Sequence, residues 1–139
     1  MKKKLLIMMS LLLSVIEIAC NGDDDTPSTL WGTWSIIGYG NDQDFHTGDN
    51  IVNTTRLTFY PDGTFDGHIY PNEVTGKYKC NGNNFSFTEV FGTQLGAVDP
   101  DLQFIDFQIR MVNAYKILSG SELKLYYEED NYIKFFKER

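Results

Sequence analysis

The sequence predicts a mainly β domain of the α+β class: a curled antiparallel sheet or small β-barrel of about eight strands, with one helix near residues 100–113. Three observations lead to this prediction. Apolar and polar residues alternate with period two in most segments after residue 30. Short turns rich in Gly, Asn, Asp and Ser separate these segments. One stretch, after Asp99-Pro100, has the apolar spacing of a helix.

Two hairpins within residues 56–87 form the centre of the predicted sheet. A Pro-Asp-Gly turn at 61–63 and an Asn-Gly-Asn turn at 81–83 each lie between two alternating segments. In such turns Pro fixes φ, Asp and Asn side chains form hydrogen bonds to the nearby backbone, and Gly tolerates positive φ. A first strand is expected over 30–39. Its two faces should be formed by Trp34, Ile36 and Gly38 and by Ser35, Ile37 and Tyr39.

A helix should begin with Asp99 as its N-cap and Pro100 as its first residue. Asp106 and Arg110 have the spacing of an acid-before-base ion pair. A helical count puts the apolar side chains on one broad arc, made by Leu102, Phe104, Ile105, Phe107, Ile109, Met111 and Val112. We therefore expect the helix to lie on the sheet or to plug it. Three more strands are predicted at 115–118, 122–127 and 132–137.

The first nineteen residues are predicted to be a lipoprotein signal peptide. Three lysines at 2–4 precede the apolar run 5–16, which is too short to span a bilayer. Cys20 follows directly, so the segment resembles a bacterial lipoprotein signal, in which the cysteine becomes the acylated N-terminus. Glu17 departs from that pattern. The alternative is an ordinary secretory signal, with Cys20 paired to Cys80 in an oxidising compartment.

Residues 20–29 are predicted to form a flexible acidic tether, and residues 30–139 the folded domain. Several acyl chains on Cys20 would anchor the protein stably in a membrane. The acidic run 23–25 is similar to the surface-export signal of Bacteroidetes lipoproteins. That resemblance implies an outer membrane lipoprotein exposed at the cell surface, and a plain spacer is the alternative.

The charge of the chain argues against a nucleic-acid partner. The formal net charge is −7, and removing the signal takes away three lysines and one glutamate, which leaves −9. Nucleic-acid binding depends on clustered Lys and Arg, which are scattered singly here. A small ligand or an envelope protein is the expected partner.

No pattern in the sequence indicates an enzyme, a cofactor or a metal site. The chain has no P-loop, nucleophile elbow or dinucleotide-binding glycine pattern. The acidic loop at 42–49 lacks the glycine and glutamate spacing of an EF-hand. His46 and His68 lie outside any zinc-binding pattern, and Cys80 is expected to be a buried, inert thiol. We expect a non-enzymatic protein.

The order of turn and strand signals resembles the META domain family, which includes the lipoprotein HslJ. The matching residues are Leu57-Thr58-Phe59, Asp62-Gly63, Gly67, Asn72, Gly76-Lys77-Tyr78, Asn83, Phe85-Ser86-Phe87, Gly92-Thr93, Val112, Tyr115-Lys116-Ile117, Leu123-Lys124-Leu125 and Ile133-Lys134-Phe135. Ala97 stands where many members have a cysteine, so no role of that thiol is carried over.

The META resemblance implies an envelope-associated protein linked to stress tolerance, without a known enzymatic activity. Its family positions here are Gly67, Asn72, Gly76, Tyr78, Thr93 and Tyr115. We interpret them as structural: Gly67 and Gly76 permit bends or close packing, and Asn72 stabilises the connection between the hairpins.

A second resemblance is to the lipocalins, whose barrels carry small apolar ligands. Gly32-Thr33-Trp34 is similar to the Gly-x-Trp that opens those barrels, and Lys137 or Arg139 is the candidate for their basic residue near the last strand. Lipocalins usually place their helix after the last barrel strands, whereas three predicted strands follow it here. The alternative function is therefore a lipocalin-like carrier.

Overall fold

A computed structural model describes residues 26–139 of the chain. The signal peptide, Cys20 and the first part of the tether lie outside the described residues. The elements are β1 Gly32–Gly40, β2 Phe45–His46, β3 Thr55–Phe59, β4 Thr64–Ile69, β5 Asn72–Asn81, β6 Asn84–Gly92, α1 Pro100–Ile109, β7 Ala114–Leu118, β8 Glu122–Tyr126 and β9 Tyr132–Lys137. Among residues 26–139, α1 is too short and no other helix is long and apolar enough to cross a bilayer.

Eight of the nine strands form a closed antiparallel ring, in the order β1, β3, β4, β5, β6, β7, β8 and β9. The ring closes because β1 pairs with β9 from Trp34 to Gly40. The short β2 pairs with the end of β1 at Tyr39 and Gly40. The prediction of a mainly β, curled or barrel-like sheet of about eight strands with one helix is confirmed.

The seam between β6 and β7 is the weakest part of the ring. In the described chain these strands pair at Asn84 and Ala114 alone, and then extend in opposite directions. Partly buried apolar side chains of β6, β7 and the segment between them pack against the core: Phe87, Val90, Ala97, Tyr115 and Ile117.

The connections between strands alternate between two ends of the ring, because neighbouring strands are antiparallel. We call the end with the turns 60–63, 82–83 and 119–121 the proximal end, and the end with the segments 41–54, 70–71, 93–113 and 127–131 the distal end. The described chain begins at the proximal end, where Thr26 donates a hydrogen bond to the carbonyl of Pro61 (3.5 Å).

Both predicted hairpins are present, as β3–β4 and β5–β6. Gly63 and Gly82 have φ of 86° and 60°, so glycine suits both turns. In the first turn the Asp62 carboxylate accepts hydrogen bonds from the backbone N–H and the hydroxyl of Thr64. The residues of the two turns therefore determine where these hairpins form.

The predicted faces of the first strand are wrong at its end. Trp34 and Ile36 point into the core as expected, but a register shift between Ile36 and Gly38 moves the following residues. Tyr39 is therefore buried in the same core as Trp34. A β-bulge produces this change because it inserts one residue into the period of two.

The helix begins where the sequence predicts, with the Asp99 carboxylate accepting from the N–H of Asp101 and Pro100 in the first turn. It ends at Ile109, so its predicted extent to 113 is four residues too long. Leu102, Ile105 and Ile109 are buried, and Asp106 pairs with Arg110 at 3.5 Å. The helix covers the distal mouth of the ring: Phe104 lies 4.8 Å from Tyr39 and 5.8 Å from Tyr127, measured between ring centroids.

Asn72 fixes the segment that leads to the helix. Its side chain, with 5% of its surface exposed, accepts hydrogen bonds from the Thr93 hydroxyl (3.0 Å) and the Leu95 N–H (2.7 Å). Its amide nitrogen donates to the Leu95 carbonyl (3.0 Å). Three hydrogen bonds thus tie the start of β5 to residues 93–95.

Tyr39 and Asp101 join β1 to α1. The Tyr39 hydroxyl donates to the Asp101 carboxylate, which also accepts from the Asn50 amide (2.9 Å). The bond from Tyr39, and then that from Asn50, hold the pKa of Asp101 below its usual range. Burial, and then the bond to Asp101, raise the pKa of Tyr39.

Replacing Asn72 with Ala should lower the free energy of unfolding by about 1–2 kcal/mol, because it leaves the polar groups of residues 93–95 without their buried partner. Urea unfolding followed by tryptophan fluorescence measures the change. Gln94→Ala is the matched control: it truncates an exposed amide in the same segment and should change stability by less than about 0.5 kcal/mol. Equal losses in the two variants would contradict the role of Asn72.

The folded chain should lose stability from about pH 5 downward, in part through Asp101. A carboxyl group with a lower pKa in the folded chain stabilises that state above its ordinary pKa, and this contribution is lost as the pH falls through the folded pKa. Asp101→Asn keeps an oxygen acceptor for Tyr39 but does not titrate. Its unfolding free energy, measured in urea at pH 7 and at acid pH, should fall less steeply than that of the wild type. Parallel pH profiles would rule out the contribution.

Candidate functional site

The interior of the ring, where a carrier would hold its ligand, is filled by large side chains. Its fully buried members include Trp34, Phe59, Phe85 and Phe135, and the helix adds the buried residues Leu102, Ile105 and Ile109. Phe59 contacts the rings of Tyr78, Phe85 and Phe87 with centroid distances of 5.0–6.2 Å. Close packing of this kind stabilises the ring.

Trp34 lies at the proximal end of this core and is held from two sides. Its indole N–H donates to the Leu30 carbonyl at 2.8 Å. The Lys137 ammonium lies 5.4 Å from the centroid of its ring, within the range of a cation–π contact. The first and last strands of the ring are therefore joined by side chains as well as by backbone.

The outer wall of the ring carries an open groove. Its volume is about 780 Å³, and it runs across β1, β3, β4, β5 and the end of β6. The lining residues that point outward are Thr33, Arg56, Thr58, Asp66, His68, Glu73, Thr75, Phe91 and Thr93. We call this concavity the outer-wall groove.

Close approach of the strands shapes the outer-wall groove. A Cβ atom on Gly67 would lie 2.2 Å from the Arg56 carbonyl oxygen, and one on Gly76 would lie 1.9 Å from the Glu89 carbonyl oxygen. Neither position admits a side chain without a backbone shift. Both glycines therefore lie where neighbouring strands pack closely.

The polar groups in the wall of the groove are mainly hydroxyls and carboxylates. The hydroxyls of Thr33 and Thr58 lie 2.8 Å apart, and that of Thr75 donates to the Phe65 carbonyl (3.1 Å). Asp66 accepts from the Tyr60 hydroxyl (2.8 Å). These groups leave further lone pairs and protons for a ligand.

The one arginine of the groove is already engaged. Arg56 Nε donates to Glu138 at 3.0 Å, and the same carboxylate accepts from the Ser35 hydroxyl at 2.7 Å. The bonds from Arg56, and then that from Ser35, lower the pKa of Glu138. Because Glu138 balances this cation, the groove favours a neutral, hydroxyl-rich ligand over an anion.

His68 and Glu73 face each other across β4 and β5 in the groove. Within residues 26–139 no group of three or more His, Cys, Asp or Glu side chains is placed to hold a metal ion.

The six family positions named in the sequence analysis do not form one site. Gly67 and Thr93 line the groove, and Asn72 holds Thr93 from inside the ring. Tyr78 is buried and donates to the Tyr60 carbonyl (2.7 Å); burial raises its pKa to about 12. Tyr115 is half-buried at the seam between β6 and β7. Cys80 is buried, as expected, and Cys20 lies outside the described residues.

The sequence analysis missed most of the groove. Thr58, Asp66, His68 and Thr75 each occupy the outward positions of strands that were correctly predicted. Alternation could have identified them as outward-facing. Their convergence depends on the curvature of the sheet, which has no local signal.

Two solved structures are similar to this chain in fold. A DUF4847 family protein from Bacteroides vulgatus is 18% identical, with a TM-score of 0.60, and the match covers 81% of this chain and 97% of that chain. A protein from Burkholderia xenovorans is 14% identical, with a TM-score of 0.60, and the match covers 78% of this chain and 83% of that chain. No protein-family model and no curated protein matches the chain. Similarity at these identities establishes the fold, and the META and lipocalin resemblances stay predictions.

Proposed function

We propose that this protein is a non-enzymatic, lipid-anchored protein of the cell envelope that binds a hydroxyl-rich ligand, such as a glycan, in the outer-wall groove. The observation that carries this proposal is the contrast between a packed interior and an open groove lined by threonine hydroxyls and carboxylates. Carboxylates accept hydrogen bonds from sugar hydroxyls, and threonines can donate or accept them. Phe91, 61% exposed at the end of β6, offers an apolar surface for the C–H face of a sugar ring.

The lipid anchor follows from the signal-like segment and Cys20. The described domain starts only six residues after Cys20, which gives a reach of about 20 Å for an extended chain. An acylated Cys20 would therefore hold the proximal end close to the bilayer. We assign the protein to the outer membrane with the domain exposed at the cell surface, where glycans are abundant ligands.

The META resemblance is consistent with this proposal, since it implies an envelope-associated protein linked to stress tolerance. Binding of an envelope glycan would give such a protein a physical role without catalysis.

A lipocalin-like carrier is the second candidate. The contact between Trp34 and Lys137 favours it, because it joins the Gly-x-Trp segment to the basic residue expected near the last strand. A carrier would need interior space that Trp34, Phe59 and the buried face of α1 now occupy. Ligand binding inside the ring would require α1 to move away from the distal mouth.

Acylation should occur at Cys20 and at no other residue. Growth of a bacterial host that expresses the full chain with an alkyne-tagged fatty acid should label the wild type and place it in the membrane fraction. Cys20→Ser should abolish the label and release the protein. Cys80→Ser is the control and should keep the label, because Cys80 is buried. Labelling of Cys20→Ser would contradict the anchor.

The outer-wall groove should bind glycans on a glycan array probed with residues 20–139 carrying Cys20→Ser. Thr75→Trp places a large side chain in the groove and should weaken binding at least tenfold, because it occupies the ligand's space. Thr88→Trp, at an exposed position of β6 outside the groove, is the matched control and should bind like the wild type.

Two results would contradict the groove proposal. One is the absence of glycan binding by the wild type. The other is an apolar molecule that copurifies with the protein from its envelope and leaves on mild denaturation, as seen by native mass spectrometry. That result would favour the carrier.

A further inference from the structure

Exposed apolar side chains are concentrated at the distal end of the ring. Nine large hydrophobic residues of the described chain are exposed. Tyr60 and Phe136 belong to the proximal end, and the remaining seven belong to the distal end: Tyr70, Phe91, Leu95, Val98, Phe104, Phe107 and Met111. The two ends are built from the same strands, so this asymmetry comes from the distal connections.

The outer side of α1 carries the centre of this apolar surface. Phe104 and Phe107 are 37% and 63% exposed, on the side of α1 opposite to the buried Leu102, Ile105 and Ile109. Met111, in the turn that follows α1, is 55% exposed. We call these three side chains, together with Val98 and Tyr70, the distal patch. A cleft of about 490 Å³ beside the start of α1 is lined by Val98, Tyr70 and Leu102.

Acidic residues outnumber basic residues in the distal segments. The distal segments 41–54, 70–71, 93–113 and 127–131 contain nine Asp or Glu residues and a single Lys or Arg, Arg110. The nine are Asp42, Asp44, Asp49, Asp99, Asp101, Asp106, Glu128, Glu129 and Asp130. A surface of this charge repels an anionic bilayer and attracts cationic groups.

The position of the chain's start gives a second reason against a lipid occupant. Residues 1–25 join the domain at the proximal end, beside Pro61. The nine residues of β1 separate that end from the distal patch by roughly 30 Å of strand. A protein anchored through Cys20, as proposed above, therefore points the distal patch away from its own membrane. This orientation depends on the anchor, whereas the exposure and charge of the patch do not.

We propose that the distal patch docks a cationic, amphipathic segment of another protein. The apolar side chains of that segment would cover Phe107, Met111 and Val98. Its lysines or arginines would face the carboxylates of the distal segments. A helix in a groove or on a flat apolar stripe is a common form of such recognition.

The probe for this proposal is a synthetic amphipathic helix of Leu and Lys, labelled for fluorescence anisotropy, with a Leu/Glu peptide of equal length beside it. Residues 20–139 carrying Cys20→Ser should bind the Leu/Lys peptide and not the Leu/Glu peptide. Added salt should weaken the complex, because it screens exposed charges. Phe107→Ser and Met111→Ser should each weaken it at least tenfold. Phe136→Ser removes an apolar side chain exposed at the proximal end and should leave binding unchanged.

Four outcomes would overturn the proposal. These are no binding of the Leu/Lys peptide, equal binding of the Leu/Glu peptide, binding to phosphatidylglycerol vesicles that Phe107→Ser abolishes, and a dimer in sedimentation that Phe107→Ser dissociates. The last two would assign the patch to a membrane or to a second copy of this chain.

The test is independent of the glycan proposal. Phe107→Ser should leave binding on the glycan array intact, and Thr75→Trp should leave peptide binding intact. Failure of either proposal would therefore be distinguishable from failure of the other.

Discussion

The pairing of β1 with β9 is the constraint on which the rest of the structure depends. β1 uses one edge for β9 and divides the other between β3 and β2, so the first and last strands become neighbours. Closure removes two exposed sheet edges and encloses a single interior. Trp34 stands at this junction, held by the Leu30 carbonyl and covered by Lys137. In the closed ring, inward-facing side chains pack together and exclude water. Outward-facing side chains are available to contact a ligand or a partner.

Turns and helix starts that are specified by a few neighbouring residues could be predicted from the sequence. Asp62-Gly63 specifies its turn through the bonds to Thr64, and Asp99-Pro100 starts the helix through a capping bond. Ring closure could not be predicted in this way, because Trp34 and Lys137 pair across about a hundred residues of chain and their meeting depends on accumulated curvature. The bulge after Ile36 also has no local signal, so strict alternation predicts the wrong face for Tyr39.

The outer-wall groove could not be predicted for the same reason, because it depends on the curvature of the whole sheet. Alternation identifies Thr58 and Thr75 as outward-facing, but their convergence in one groove requires the close strand contacts at Gly67 and Gly76. The distal patch differs from the groove, because the sequence predicts a broad apolar arc on the helix and an arc of this kind is expected to be buried. Leu102, Ile105 and Ile109 are the buried residues of α1, and Phe104 packs against Tyr39 and Tyr127 at the mouth of the ring. Among the described residues, Phe107 and Met111 make no such contact with the ring and remain exposed.

The two ends of the ring differ because their connections differ in length. Proximal turns such as 60–63 and 82–83 are short, and their residues are chosen for backbone geometry, so they have little room for recognition. Distal segments such as 41–54 and 93–113 are long enough to carry a helix, carboxylates and exposed aromatic rings. The described chain starts at the proximal end, so the long distal segments lie at the end of the ring opposite to Thr26. The outer-wall groove lies on the wall between the two ends, and the three surfaces therefore differ because turns, long connections and strands place different constraints on their side chains.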